Sequence, residues 1–208
     1  MHTFYHISYA KPYNLFPDFE IGQGVLIGND FNPFFNHFYN LNEHVEVGIP
    51  NGIQNVHYST WIADFTKQNS VKSYPDPTIF FPYINAKLKD LFTLNRELML
   101  ENIRLQYYPD MPSRLKSLWV SNTPEETSVW MMQFITSENL QLITFESSTE
   151  PSKALDSKLL PLPHDSLKTK EEKAHAYWSG EVSKEPMIEH LFQGEAIVKD
   201  INKINFDG

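Results

Sequence analysis

A chain of 208 residues is long enough to bury one sizeable core, and 41% hydrophobic with 21% charged residues is the make-up of a globular protein, not of a disordered or membrane chain. Its formal net charge of -9 disfavours nonspecific attraction to a phosphate backbone or an anionic membrane surface. The absence of cysteine excludes disulfides, zinc-thiolate sites and thiol nucleophiles together.

Residues Thr3 to Tyr9 are β-prone and read as a strand that places His6 on a fixed scaffold. From Lys11 to about Gly52 the chain is rich in Pro, Gly, Asn and aromatics, with turn punctuation at Gly22-Gln23-Gly24 and Gly28-Asn29-Asp30, so loops and short elements are expected. Those glycines do not form a dinucleotide fingerprint, because the spacing is one residue too long and no strand leads into them. Pro75 to Pro82 reads as extended, after which Ile84, Leu88, Leu91, Phe92 and Leu98 recur at helical spacing as far as about Arg104. Pro109 and Pro112 end that helix and hand over to a β-prone run from Ser113 to Ser121.

Thr123-Pro124-Glu125-Glu126 combines a capping hydroxyl, a proline at the first helical position and a glutamate three residues after the cap, and predicts a helix from Pro124 to about Ile135. Leu140 to Glu146 reads as a strand and Ser147 to Ser166 as a long polar connection. Lys168 to Trp178 is helix-prone and ends at Gly180. Ile188 to Phe192 and Glu195 to Val198 flank Gln193-Gly194, which is a hairpin signal. Strands and helices mix without regular βαβ alternation, so the fold class is α+β, in a single domain over 1–208 that includes a loop-rich region, 11–80.

The first residues, Met1-His2-Thr3-Phe4, lack a signal-peptide pattern, and no stretch reaches the roughly 18 apolar residues of a membrane span, so a cytoplasmic location without membrane partners is expected. No Walker loop, nucleophile elbow or two-histidine zinc helix is present. His37, Glu43 and His44 sit in a Phe- and Tyr-rich segment where histidines are more often packed than ligating, and no metal site is expected.

Five short pieces stand in order along the chain. These are Tyr5-His6-Ile7-Ser8, Glu101-Asn102-Ile103-Arg104, Pro112-Ser113-Arg114-Leu115, Tyr177-Trp178-Ser179-Gly180 and Glu189-His190-Leu191-Phe192-Gln193-Gly194. From Phe4 to Val198 the chain resembles a bacterial family of unknown function grouped with the ADP-ribosyltransferase-like superfamily. The resemblance implies two small, mostly antiparallel sheets around a cleft that holds NAD, with flanking helices. It implies NAD as ligand and ADP-ribosyl transfer or NAD glycohydrolysis as the activity, with the acceptor left open.

The superfamily's roles would fall on His6, Ser113 and Glu189. His6 would bond a ribose, the backbone at Ile7 would pair with the carboxamide, and Ser8 would support that contact. Glu189 would stabilise the oxocarbenium-like charge that grows as nicotinamide leaves. Arg114 would clamp the pyrophosphate, and Tyr177 or Trp178 would offer an aromatic face. Glu189 and His6 are thus the expected catalytic pair, and they are expected to line one polar concavity with Ser113 or Arg114 beside them.

The chain departs from the superfamily pattern twice: Ile7 stands where a glycine often follows the first-strand histidine, and Met187 stands where transferases acting on protein side chains often carry a polar or acidic group. Those departures admit a second reading, a binding or interaction module that keeps the fold without the chemistry. In simpler terms, Glu101 and Arg104 are an ion pair one helical turn apart, Tyr177 and Trp178 are core anchors, and Glu185 and Glu195 are rivals for the place of Glu189.

Overall fold

Apolar residues at alternate positions of the first strand, β1 (His2–Ser8), bury Phe4 and His6 on one face. The computed structural model describes residues 1–9, 19–39, 44–49, 52–57, 77–134 and 140–204. The other strands are β2 (Gly24–Ile27), β3 (His44–Ile49), β4 (Gly52–His57), β5 (Leu118–Val120), β6 (Gln141–Ser147), β7 (Leu155–Asp156), β8 (Ile188–Phe192) and β9 (Gly194–Lys203). The helices are α1 (Pro33–Tyr39), α2 (Pro77–Tyr107), α3 (Pro124–Gln133) and α4 (Leu167–Ser179).

All pairings among the described strands are antiparallel, and the fold is α+β. One sheet has the order β1-β6-β9-β2, another β5-β8-β7, and β3 pairs with β4. The chain divides into two compact units, residues 1–37 with 92–208, and residues 38–91. The β3–β4 pair belongs to the smaller unit, in register from His44 opposite His57 to Ile49 opposite Gly52. In the larger unit the four-stranded and three-stranded sheets meet at one bridge, where Tyr5 and Ser121 exchange N–H···O bonds of 2.8 Å each.

Two apolar clusters follow from that arrangement. Phe4, Leu118, Val120, Ile143, Phe145, Phe192 and Val198 form the first. Leu100, Ile103, Leu155, Ala174, Tyr177, Trp178 and Leu191 form the second, in which the Trp178 indole N–H donates to the carbonyl of Leu100 at 2.9 Å. Strand β8 serves both, because alternate residues face opposite sides.

Local signals place the helix ends. The Thr123 side chain accepts the amide of Glu126, while the Glu126 carboxylate turns back to accept the amide of Asn122 at 2.9 Å. Gly180 ends α4 at φ 81°, with its amide on Tyr177 and that of Glu181 on Ala176, two bonds that satisfy carbonyls left open at the helix end.

Four expectations are corrected. The described part of the Pro75–Pro82 segment is helical from Pro77, which needs no amide at the first position, so α2 carries Pro82 in its second turn and runs to Tyr107. Only Leu118–Val120 of the Ser113–Ser121 run is strand, because the Ser113 carbonyl accepts both the amide and the hydroxyl of Ser117 and folds the first part into a turn. The polar connection after Ser147 contains β7 and a 3₁₀ turn, Ser157–Leu159. Finally, β8 and β9 do not pair with each other: at Gly194, φ 139°, the chain leaves one sheet and enters the other.

Asp156 holds the last connection in place. It is fully buried, and its carboxylate accepts the amides of Lys158 (3.0 Å), Ser183 (2.8 Å) and Met187 (2.9 Å). Burial alone pushes its carboxyl pKa up, but these donors outweigh it and the net shift is downward. The stability it contributes is complete above the ordinary aspartate value of about 3.9 and is lost as pH falls below that, through the lower folded value. Asp156→Ala is expected to lower stability by about 3–5 kcal/mol in urea titrations at pH 7 and to remove the part of the acid sensitivity that lies below pH ~4.

Candidate functional site

Arg114 lies on the turn between α2 and β5, next to Ser113, and is buried with 4% of its surface exposed. A buried guanidinium cannot escape by deprotonation, so it must find anions. Its Nε donates to Glu97 Oε2 at 2.9 Å, and its Nη1 donates to Glu189 Oε1 and to the Tyr177 hydroxyl. Tyr177 in turn donates to the same Glu189 oxygen at 2.7 Å. Glu97 is also paired with Arg96, half-buried, at 2.8 Å, so the four charged groups balance.

The electrostatics follow from this geometry. Burial opposes charge on Arg114, but Glu189 and Glu97 outweigh it and raise its pKa well above the ordinary value. Burial likewise opposes charge on Glu97, and Arg114 and Arg96 hold its pKa below the usual range. Burial, with Glu189 beside it, keeps Tyr177 protonated far above neutral pH. The Arg114 guanidinium also lies over two rings, 5.4 Å from the centre of Trp119 and 5.1 Å from that of Tyr177.

Among the expected site residues, Arg114, Tyr177 and Glu189 are therefore in direct contact, and Ser113 adjoins them through the chain. Glu189 retains 7% exposure of its side chain, and its Oε2 accepts no hydrogen bond from the described residues. The Arg114 guanidinium is already engaged by two carboxylates and a phenol, which leaves little positive charge to offer a pyrophosphate. Glu185 and Glu195 are both exposed and do not share this network.

His6 stands apart from Glu189. It follows the parity of Phe4, its ring meets Phe19 of the first core edge-on at 6.4 Å, and its Nδ1 lies 2.9 Å from the Trp119 carbonyl. Glu189 follows the parity of Leu191, in the second core. The two residues are linked through two intermediaries: the Trp119 carbonyl meets His6, the Trp119 ring lies on Arg114, and Arg114 binds Glu189.

Ile7 and Ser8 occupy the end of β1, opposite Leu142 and Gln141. Tyr5 uses its N–H and C=O on Ser121, and antiparallel bonding alternates, so Ile7 turns its own N–H and C=O toward the same edge, away from β6.

A polar concavity of about 870 Å³ opens beside Ser113. Its wall carries Arg104, Lys116 and Lys153 against Glu101, Asp110 and Glu150, together with Ser113, Ser152 and Gln193. Arg104 is held by the bidentate pair with Glu101, 3.0 and 2.9 Å, and by the Met111 carbonyl at 2.8 Å. Gln193 donates to the Ser113 carbonyl at 3.2 Å.

The sequence assigns no site role to Glu97, Lys116 and Lys153, and Gln193 figures in it only as part of a hairpin signal and of the Glu189–Gly194 piece. Glu97 carried one signal: on α2 it falls on the same helical face as Leu100 and Arg104, both buried, where a lone carboxylate requires a partner. His37 is half-buried, whereas Glu43 and the His44 side chain lie outside the described residues. No group of metal-ligating side chains occurs among those described. No described helix is long and apolar enough to cross a membrane.

Two measurements test this geometry. Arg114→Ala leaves Glu189 buried without its cation and Glu97 with Arg96 alone, and is expected to cost about 3–5 kcal/mol by denaturant titration, with Arg114→Lys recovering only part because it lacks the fork. His6 is held neutral: burial lowers its pKa from 6.5 to about 4, against the weaker opposite pull of the Trp119 carbonyl. Because the unfolded chain binds the proton more readily, stability falls as pH drops from about 6.5 to about 4 and is flat above. The His6→Asn variant should lose that slope, amounting to about 3 kcal/mol, in thermal melts between those pH values.

Residues 4–205 match the family described as protein of unknown function (DUF2441), and the chain belongs to that family. No curated protein matches it.

Proposed function

We propose that this member of the family is a binding module for a polar small molecule, seated in the concavity beside Ser113, and that it does not cleave NAD. One observation carries the reading: the carboxylate best placed for chemistry, Glu189, shares its bonded oxygen between Arg114 and Tyr177 in a charge-balanced, buried network. Such a network supports a fold whether or not a ligand is present. The nearby concavity has the volume of a small-molecule site and is lined by charges of both signs. With Arg104 and Glu101 paired to each other, Lys116 and Lys153 with Asp110 and Glu150 suit a ligand that carries donors and acceptors of both signs more than a simple polyanion.

A second reading, NAD binding with ADP-ribosyl transfer or glycohydrolysis, is favoured by two features. The edge N–H and C=O of Ile7 suit a carboxamide, and Glu189 Oε2 is open to accept a ribose hydroxyl. In this reading Arg114 and Tyr177 would orient the carboxylate by fixing its other oxygen.

Ligand-observed NMR against NAD, ADP-ribose, sugars and amino acids should detect a polar ligand, and Lys116→Glu together with Lys153→Glu should weaken its binding at least about tenfold. Binding that ignores both substitutions, or no binding by any of these probes, counts against the concavity. Turnover of NAD by the purified protein that disappears in Glu189→Gln would replace this reading with the second.

A further inference from the structure

Helix α2 has two apolar faces, one buried and the other half-exposed among the described residues. Glu97, Leu100, Ile103 and Arg104 are buried on one side. On the other side Ile84, Leu91, Leu98 and Leu105 recur at seven-residue intervals, and Leu88, Asn95 and Asn102 recur at the same interval between them. This is the a/d pattern of a two-stranded helical seam, with the leucines and isoleucine at d. Leu88 is 44% exposed, Leu91 51%, Leu98 49% and Leu105 59%. Such a row of half-exposed leucines is unfavourable in water and marks a contact surface.

We propose that this face of α2 pairs with the same face of a second copy of the chain, parallel and in register. The two asparagines choose the partner and the direction. Asn95 and Asn102 are exposed on the seam, and in a parallel, in-register pair each meets its own counterpart, where one amide donates and the other accepts. The antiparallel alternative sets Asn95 against Leu91 and leaves its amide facing methyl groups. The flanking positions also agree with pairing: Lys87 would face Phe92 of the copy and Glu101 would face Gln106, so no like charges oppose each other. The stripe from Ile84 to Leu105 is about 32 Å long. Seating its side chains between two copies removes on the order of 1,000 Å² from water, the size at which specific interfaces become stable.

The test uses the full chain. Sedimentation equilibrium should give twice the 24.2 kDa monomer mass, and a monomer persisting at about 100 μM, a concentration of weak association, overturns the proposal. Leu98→Lys and Leu105→Lys should each weaken the dimer on the order of a hundredfold. The control Val182→Lys, at an exposed residue outside α2, should not change it. Near-ultraviolet circular dichroism reports whether each variant is folded, and either seam variant suffices if the other fails. A dimer that survives in a folded seam variant overturns the proposal. Because the chain has no cysteine, Leu98→Cys supplies a unique thiol. Oxidation should link it to its own counterpart in a parallel pair. A dimer that forms no such link, but in which a Leu98→Cys chain links to a Leu88→Cys chain, overturns the parallel arrangement.

Discussion

The charge on Arg114 organises the larger unit. A guanidinium does not lose its proton at any physiological pH, so once this side chain is inside, its surroundings must supply anions from fixed directions. Glu97 supplies one from α2 and Glu189 the other from β8, while Tyr177 of α4 closes the ring of donors and acceptors. Three elements that are distant in the chain are thereby fixed relative to one turn. Apolar packing alone tolerates sliding of a helix along a sheet, whereas this set of bonds admits one position. Its contribution lies as much in uniqueness of arrangement as in free energy.

Trp119 extends that constraint to the other sheet. Its ring lies on Arg114 and its backbone carbonyl lies against His6, so one residue of a three-residue strand touches both sides of the domain. Among the described residues the buried indole N–H meets no acceptor. That unsatisfied donor is a local cost, offset by the contacts its ring makes with Arg114 and Phe34.

Features encoded within a few residues were legible in the sequence. Thr123-Pro124 opens α3, Gly180 closes α4, and the first strand stands within a residue of where its β-prone run lies, because caps, left-handed glycines and strand propensity act over one or two turns of chain. What depends on partners far away was not legible. Gln193-Gly194 carries the composition of a hairpin turn, yet β8 finds β5 and β7 while β9 finds β6 and β2, partners that lie far away in the sequence. The residues of the candidate site show the same division. Arg114 was expected beside Glu189, but the attachment of both to the Tyr177 hydroxyl and of Arg114 to Glu97 was not, since those bonds join residues far apart in the chain. Strand parity, which a one-residue shift reverses, places His6 and Glu189 in different cores.

The strand order β1-β6-β9-β2 also dictates the order in which the chain can acquire structure. Both strands that lie earliest in the sequence are at the margins of the sheet, and both wait for partners made much later: β1 for β6, and β2 for β9. During synthesis β1 and β2 therefore emerge before their partners, with Phe4 and His6 still in water, and the inner strand that completes the sheet, Gly194–Lys203, is the last described element to emerge. In a nascent chain of this topology both early strands keep unpaired edges until β6 and β9 are made, the condition under which edge-to-edge association competes with folding.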